Sequence, residues 1–106
     1  MRGVIKGALA EELKNSLRME KTYERALRRL PKGCLVARKI KGNEYYYLVR
    51  RESEKLRYIY KGKISSSEKR KYEEAKLLRA KYRRLLSQVR KQIRFLRSSL
   101  RGKEAI

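Results

Sequence analysis

The sequence predicts an α+β fold: two helices, the second one long, flanking a three-stranded antiparallel β-meander, with the helices forming an antiparallel pair. Three observations carry this. Apolar residues recur in steps of three and four before Pro31 and again after Ser65, the period of one helix face. The stretch between them is dense in Tyr, Val, Ile and Leu, of which the aromatic and β-branched residues favour strands. That stretch is broken by Gly42-Asn43 and by the polar run Glu52 to Lys55, both of which read as turns.

Residues 1–7 contain Gly3 and Gly7 and are expected to form a flexible N-terminus. The first helix runs from Ala8 to Leu30, with a stripe of Leu9, Leu13, Leu17, Tyr23 (or Ala26), Leu27 and Leu30. Glu11 and Glu12 complement its positive end, and Arg25, Arg28 and Arg29 its negative end. Pro31 stops it, with Gly33 close behind. Strands are expected over Cys34 to Lys41, Glu44 to Arg51 and Leu56 to Lys61, with Gly62 ending the third.

A two-residue loop at Gly42-Asn43 sets Lys41 opposite Glu44, Ile40 by Tyr45, Arg38 by Tyr47 and Val36 by Val49. A second loop at Ser53-Glu54 sets Val49 by Tyr58 and Tyr47 by Tyr60. One sheet face then carries Val36, Arg38, Ile40, Tyr45, Tyr47, Val49, Tyr58 and Tyr60. The other carries Leu35, Ala37, Lys39, Tyr46, Leu48, Arg50, Arg57, Ile59 and Lys61.

The second helix is expected from Ser65 to about Leu100. Ser65 with Glu68 matches a capping box, and no Gly or Pro interrupts the chain between Gly62 and Gly102. Its stripe is Leu78, Tyr82, Leu85, Val89, Ile93, Leu96 and Leu100. About 35 residues at about 1.5 Å each give a rod of about 50 Å. Residues 101–106 are expected to fray as a flexible tail. Residues 8–100 thus make a single helix–meander–helix domain.

The chain has 106 residues, of which 41% are charged, and no tryptophan. Lys and Arg number 32 against 11 Asp and Glu, a net charge of +21. Such a charge repels itself, and a polyanion relieves the repulsion. A surface made only for solubility or heat resistance raises Lys and Glu together, which this sequence does not do. Nucleic acid is therefore the expected partner. Cys34 is the single cysteine; it forms no internal disulfide, suits a reducing cytoplasm and reads as a small apolar strand residue.

Nothing in the sequence points to catalysis. There is no histidine to act as base or metal ligand, and Cys34 has none to activate it. Glu73 and Glu74 are adjacent on a helix and point to different sides. No glycine motif cradles phosphate and no cluster has metal-ligand spacing. The expectation is a non-enzymatic protein with no cofactor, no metal and no small-molecule substrate. No run reaches transmembrane length and no signal-peptide core is present. A cytoplasmic protein, nucleoid-associated or held in a nucleoprotein complex, is expected.

Two stretches carry the binding residues. The first is the basic, Tyr-rich β-knob, with Lys39, Lys41, Tyr46, Arg50, Arg57, Lys61 and Lys63. Cationic heads reach phosphates, a tyrosine stacks on a base, and a small sheet fits the major groove of duplex DNA. The tyrosines taken singly are expected to pack as a small core; the basic set is expected to bind. The second is the long helix, with Arg79, Arg83, Arg90, Arg94 and Arg97. Between Glu74 and Glu104 there is no acid but eleven cations, so the i,i+4 pairs of a solvated helix are forgone. A membrane-surface helix would also be basic, but this stripe lacks the Trp and Phe of an interfacial helix.

Leu30-Pro31-Lys32-Gly33, Tyr45-Tyr46-Tyr47-Leu48 and Tyr58-Ile59-Tyr60-Lys61-Gly62-Lys63 resemble a family of small prokaryotic domains of unknown function with LPKG, YYYL and YIGK blocks. The third block here has one residue more than the Ile-Gly-Lys order. The resemblance covers about Leu30 to Lys63 and implies no activity. A weaker architectural likeness is to the arm-type DNA-binding domain of phage and transposon integrases, whose three-stranded sheet docks in the major groove. It implies DNA binding and a mobile element.

Double-stranded DNA is thus favoured over RNA, bound through Lys and Arg contacts to phosphates. The alternatives are an RNA-binding subunit of a ribonucleoprotein or nuclease complex, and a coiled-coil protein-interaction adaptor. The long apolar stripe leaves room for a homodimer or a larger nucleoprotein complex.

Overall fold

The computed structural model describes the backbone of residues 2–104 and the side chains of residues 3–102. In chain order it has α1 (Arg2–Arg29), β1 (Cys34–Ile40), β2 (Asn43–Glu52), β3 (Lys55–Gly62) and α2 (Ser66–Glu104). This is the expected α+β arrangement. Contacts group these elements into two compact units. One joins α1 to α2 from Lys81 onward; the other comprises residues 30–80.

In the first unit the helices run antiparallel. Glu12 meets Gln92, Glu20 and Glu24 meet Arg90, and Tyr23 meets Tyr82, so α2 recedes as α1 advances. Leu86, Val89 and Ile93 are buried against Leu13, Leu17, Tyr23 and Leu27 of α1. Burying one such side chain contributes about 1.5–3 kcal/mol, which makes this stripe the main stabilising element of the pair. The stripe departs from the expected one at two positions: Leu86 is buried where Leu85 was expected, with Leu85 half-buried, and Leu78, expected to open the stripe, is exposed.

α1 begins at Arg2, ahead of the expected Ala8, so residues 2–7 are helical instead of a loose terminus. Each glycine there costs about 1 kcal/mol relative to alanine but blocks nothing, and no proline interrupts propagation. α2 likewise continues through Arg101 to Glu104, where a tail was expected. The last two residues of that tail, 105 and 106, lie outside the described residues.

In the second unit the strands form one antiparallel sheet in the order β1-β2-β3. The β2–β3 register is as expected, with Val49 opposite Tyr58 and Tyr47 opposite Tyr60. Ser53 (φ 47°) and Glu54 (φ 69°) make its turn without glycine. The first turn differs. Its central residues are Lys41 (φ 52°) and Gly42 (φ 81°), so Ile40 faces Asn43 and Val36 faces Tyr47. A two-residue loop of this kind needs positive φ at both positions and favours glycine at the second. Sliding the turn back by one residue shifts the pairing by two, so the assignment of side chains to faces survives.

The β2–β3 ladder breaks between Tyr46 and Tyr47, where Gly62 pairs with Tyr46 and Lys61 is left without a partner strand residue. Gly62 takes φ 72° there. Lys61 is thus accommodated as a bulge and leaves the ladder face to which it was assigned. Ser65 caps α2, its Oγ accepting the Glu68 N–H at 3.2 Å.

Candidate nucleic-acid interface

The two faces of the sheet differ in what covers them. The face with Leu35, Ala37, Tyr46 and Leu48 lies against the opening turns of α2. Tyr46 and Leu48 are buried, and a cavity is lined jointly by Leu35, Ala37, Glu44 and Tyr46 from the sheet, with Cys34 at the start of β1, and Lys69, Tyr72, Glu73 and Lys76 from the helix. This is the face assigned to binding from sequence, and it is the inner one.

Tyr46 is therefore not a free stacking ring. Its hydroxyl donates to Glu44 Oε2 at 3.0 Å, and Lys69 Nζ sits 5.7 Å from its ring centre. The Tyr46 hydroxyl, with Glu73 and Glu44 nearby, holds the Lys69 ammonium above the ordinary lysine range. Arg50 and Arg57 oppose each other across β2 and β3, and Glu52 bridges them. Arg50 Nη2 lies 2.9 Å from Glu52 Oε1, and Arg57 Nη1 3.1 Å from Oε2. The Arg57 hydrogen bond, backed by both guanidinium charges, lowers the Glu52 carboxyl below the ordinary glutamate range. Arg50 Nε is buried with no hydrogen-bond partner among the described residues. The remaining basic residues of the knob, Lys39, Lys41, Lys61 and Lys63, are exposed.

The outer face carries Cys34, Val36, Arg38 and Ile40 on β1, Asn43, Tyr45, Tyr47, Val49 and Arg51 on β2, and Leu56, Tyr58 and Tyr60 on β3. Tyr60 packs on Tyr47 at 5.2 Å and on Tyr45 at 6.4 Å, with tilted rings. Arg38 lies 5.8 Å over the ring of Tyr47. Tyr58 and Tyr60 are 60% and 58% exposed, too open for core residues of an ordinary sheet. The expectation that the tyrosines form a small core therefore fails for Tyr58 and Tyr60, whereas Tyr45 and Tyr47 are half-buried. The acids of the strands, Glu44 and Glu52, fall at inner positions, and none falls at an outer one.

In the helical unit, the α2 arginines divide by partner. Arg90 is held by Glu20 and Glu24 of α1, each at 3.2 Å. Arg83, Arg94 and Arg97 are exposed and meet no carboxylate among the described residues. Spacings of four and three place Arg90, Arg94, Arg97 and Arg101 along one side of the helix. Arg94, Arg97 and Arg101, with Leu13 and Leu100, line one depression. Arg101 joins this group beyond the arginines singled out from sequence, because α2 extends further than expected. Arg79 leaves it: in the sheet unit its Nη2 donates to the Pro31 carbonyl at 2.6 Å, tying α2 to the segment ahead of β1.

Among the described residues, no group of three or more His, Cys, Asp or Glu could hold a metal ion. None of the helices is long and apolar enough to cross a membrane. Compared with protein-family models, curated proteins and solved structures, the chain matches none.

Proposed function

We propose that this protein is a non-enzymatic nucleic-acid-binding protein that grips the phosphate backbone with arginines of α2. The observation that carries the reading is the depression lined by Arg94, Arg97 and Arg101, with no carboxylate in its wall. Three guanidinium groups at one place repel one another, and their planar forks match phosphate oxygens. Neighbouring helical positions that gained stability from ion pairs would alternate in sign; these forgo it.

The competing adaptor reading needs an exposed apolar seam. The exposed large apolar side chains of the helices among the described residues are Val4, Ile5 and Met19 on α1 and Leu77, Leu78 and Phe95 on α2, and on neither helix do they recur at the three-and-four spacing of a heptad seam. Phosphate contacts act alike on DNA and RNA, so the duplex DNA favoured from sequence is one probe and a structured RNA the other. The sheet as a major-groove reader loses support, since Tyr46 is buried and Glu52 occupies both Arg50 and Arg57.

The test is a salt series of binding to labelled duplex DNA and to a structured RNA of matched length. The affinity falls steeply with salt, and the triple variant Arg94→Ala/Arg97→Ala/Arg101→Ala lowers the slope of log K against log salt by about 0.9 per cation removed. A slope that the triple variant leaves unchanged places the phosphate contacts elsewhere and overturns the reading.

A further inference from the structure

We propose that the outer face of the sheet is a base-stacking platform for an unpaired RNA segment. The inference rests on the nucleic-acid reading above but concerns a different surface and a different part of the ligand. Phosphates are common to every nucleic acid; exposed base faces belong to single strands.

Four observations fit this occupant. First, the outer face presents Tyr45, Tyr47, Tyr58 and Tyr60 on two adjacent strands, with Tyr58 and Tyr60 more than half exposed. Alternate residues on a strand lie about 7 Å apart. Directly opposed residues on paired strands lie about 5 Å apart. The rings therefore form a contiguous array that can accept successive bases. Second, Val36, Arg38, Tyr47 and Tyr58 line a depression on this face, with an apolar wall, two rings and one guanidinium. That combination suits a flat heteroaromatic ring whose strand continues as phosphate.

Third, the charge of the face has one sign. Arg38 and Arg51 are its ionisable residues apart from the phenols and Cys34, and the strand acids Glu44 and Glu52 lie on the opposite side. A second copy of the same face would bring arginine to arginine with no carboxylate between them, whereas a polyanion meets no repulsion. Fourth, the hydroxyls of these four tyrosines have no hydrogen-bond partner among the described residues, in contrast to Tyr46. With the Asn43 amide they supply both donors and acceptors, which a ribose 2′-hydroxyl can use and a deoxyribose cannot.

The experiment measures affinity of the full chain by fluorescence anisotropy for three probes. These are an unstructured RNA of about twelve nucleotides, the same sequence as single-stranded DNA, and a duplex DNA with equal phosphate number. Wild-type protein binds the RNA strand more tightly than the DNA strand. Tyr58→Ala weakens the RNA complex about tenfold and leaves the duplex complex within about twofold. Tyr58 is exposed and has no ring partner among the described residues, so this variant is expected to keep the wild-type circular dichroism spectrum. Tyr58→Phe/Tyr60→Phe keeps the stacking and narrows the preference for RNA over DNA. The triple arginine variant weakens all three complexes.

Several outcomes overturn the proposal. One is an RNA affinity that Tyr58→Ala and Tyr58→Ala/Tyr60→Ala leave unchanged. Another is an equal loss on the duplex, or DNA bound as tightly as RNA. A fourth is self-association that the tyrosine variants abolish without changing RNA affinity. If the protein binds the duplex with steep salt dependence but not the single strand, this inference falls and the phosphate reading stands. If it binds neither, both fall.

Discussion

Ser16 is the most enclosed side chain of the helical unit, with no exposure, and its hydroxyl has no hydrogen-bond partner among the described residues. A hydroxyl cut off from water and from any partner costs about 1–3 kcal/mol. Its smallness is what the position uses, since Leu13 and Leu17 on either side already pack against α2. Ser16→Ala keeps that volume, removes the unpaired hydroxyl and raises helix propensity. The expected result is a gain of about 1 kcal/mol, read as a higher urea midpoint at unchanged m. A loss would mean that the hydroxyl has a partner, such as a buried water. Ser16→Leu should instead destabilise by about 1–3 kcal/mol, because the added volume has nowhere to go between the helices.

At the scale of elements, Gly33 decides how β1 joins the sheet. It has φ 100°, and an added Cβ would stand 2.9 Å from both Leu48 Cδ1 and the Val49 carbonyl oxygen, and 3.2 Å from Arg50 Cβ. The leucine can turn aside; the carbonyl belongs to the central strand and cannot. Gly33→Ala is expected to cost about 2–4 kcal/mol, combining backbone strain with overpacking. Gly42, at φ 81° with nothing within 4 Å of an added Cβ, is the control. Gly42→Ala should cost about 1 kcal/mol, the strain alone. Equal losses in chemical denaturation would show that the contact with β2 is not what Gly33 protects.

The same elements show what was legible in the residues alone. Helix stripes and strand faces follow from periodicity, and an even shift in the first turn left both faces intact. Which face α2 covers does not follow from a period of two. Lys39, Arg50 and Arg57 suggested solvent, yet Tyr46 and Leu48 between them are buried. The partners of Arg79 and Arg90 are equally tertiary, lying 48 and 66 to 70 residues away in sequence. The grouping of Arg94 and Arg97 was legible, because it depends only on the helix period.

For the molecule as a whole, charge outweighs the other influences. With 32 basic and 11 acidic residues, a net +21 remains however the acids are distributed. An exposed ion pair contributes about 0.2–1 kcal/mol, so the pairs found among the described residues cannot offset repulsion summed over the whole surface. Free protein should therefore be least stable at low ionic strength. Raising NaCl from about 10 mM to about 1 M shortens the screening length from about 30 Å to about 3 Å. That change weakens repulsion between cations on different turns and strands far more than it weakens contact pairs. The melting temperature is expected to rise, by about 4–8 °C for each kcal/mol of repulsion removed. Excess duplex DNA or RNA should produce a larger rise at low salt and a vanishing one at high salt, because its binding declines as screening grows. A melting temperature that falls with salt would mean that pairs such as Arg90 with Glu20 and Glu24 outweigh the repulsion. In that case the excess charge would impose no cost on the free protein for a polyanion to relieve, and net charge would no longer point to a nucleic-acid partner.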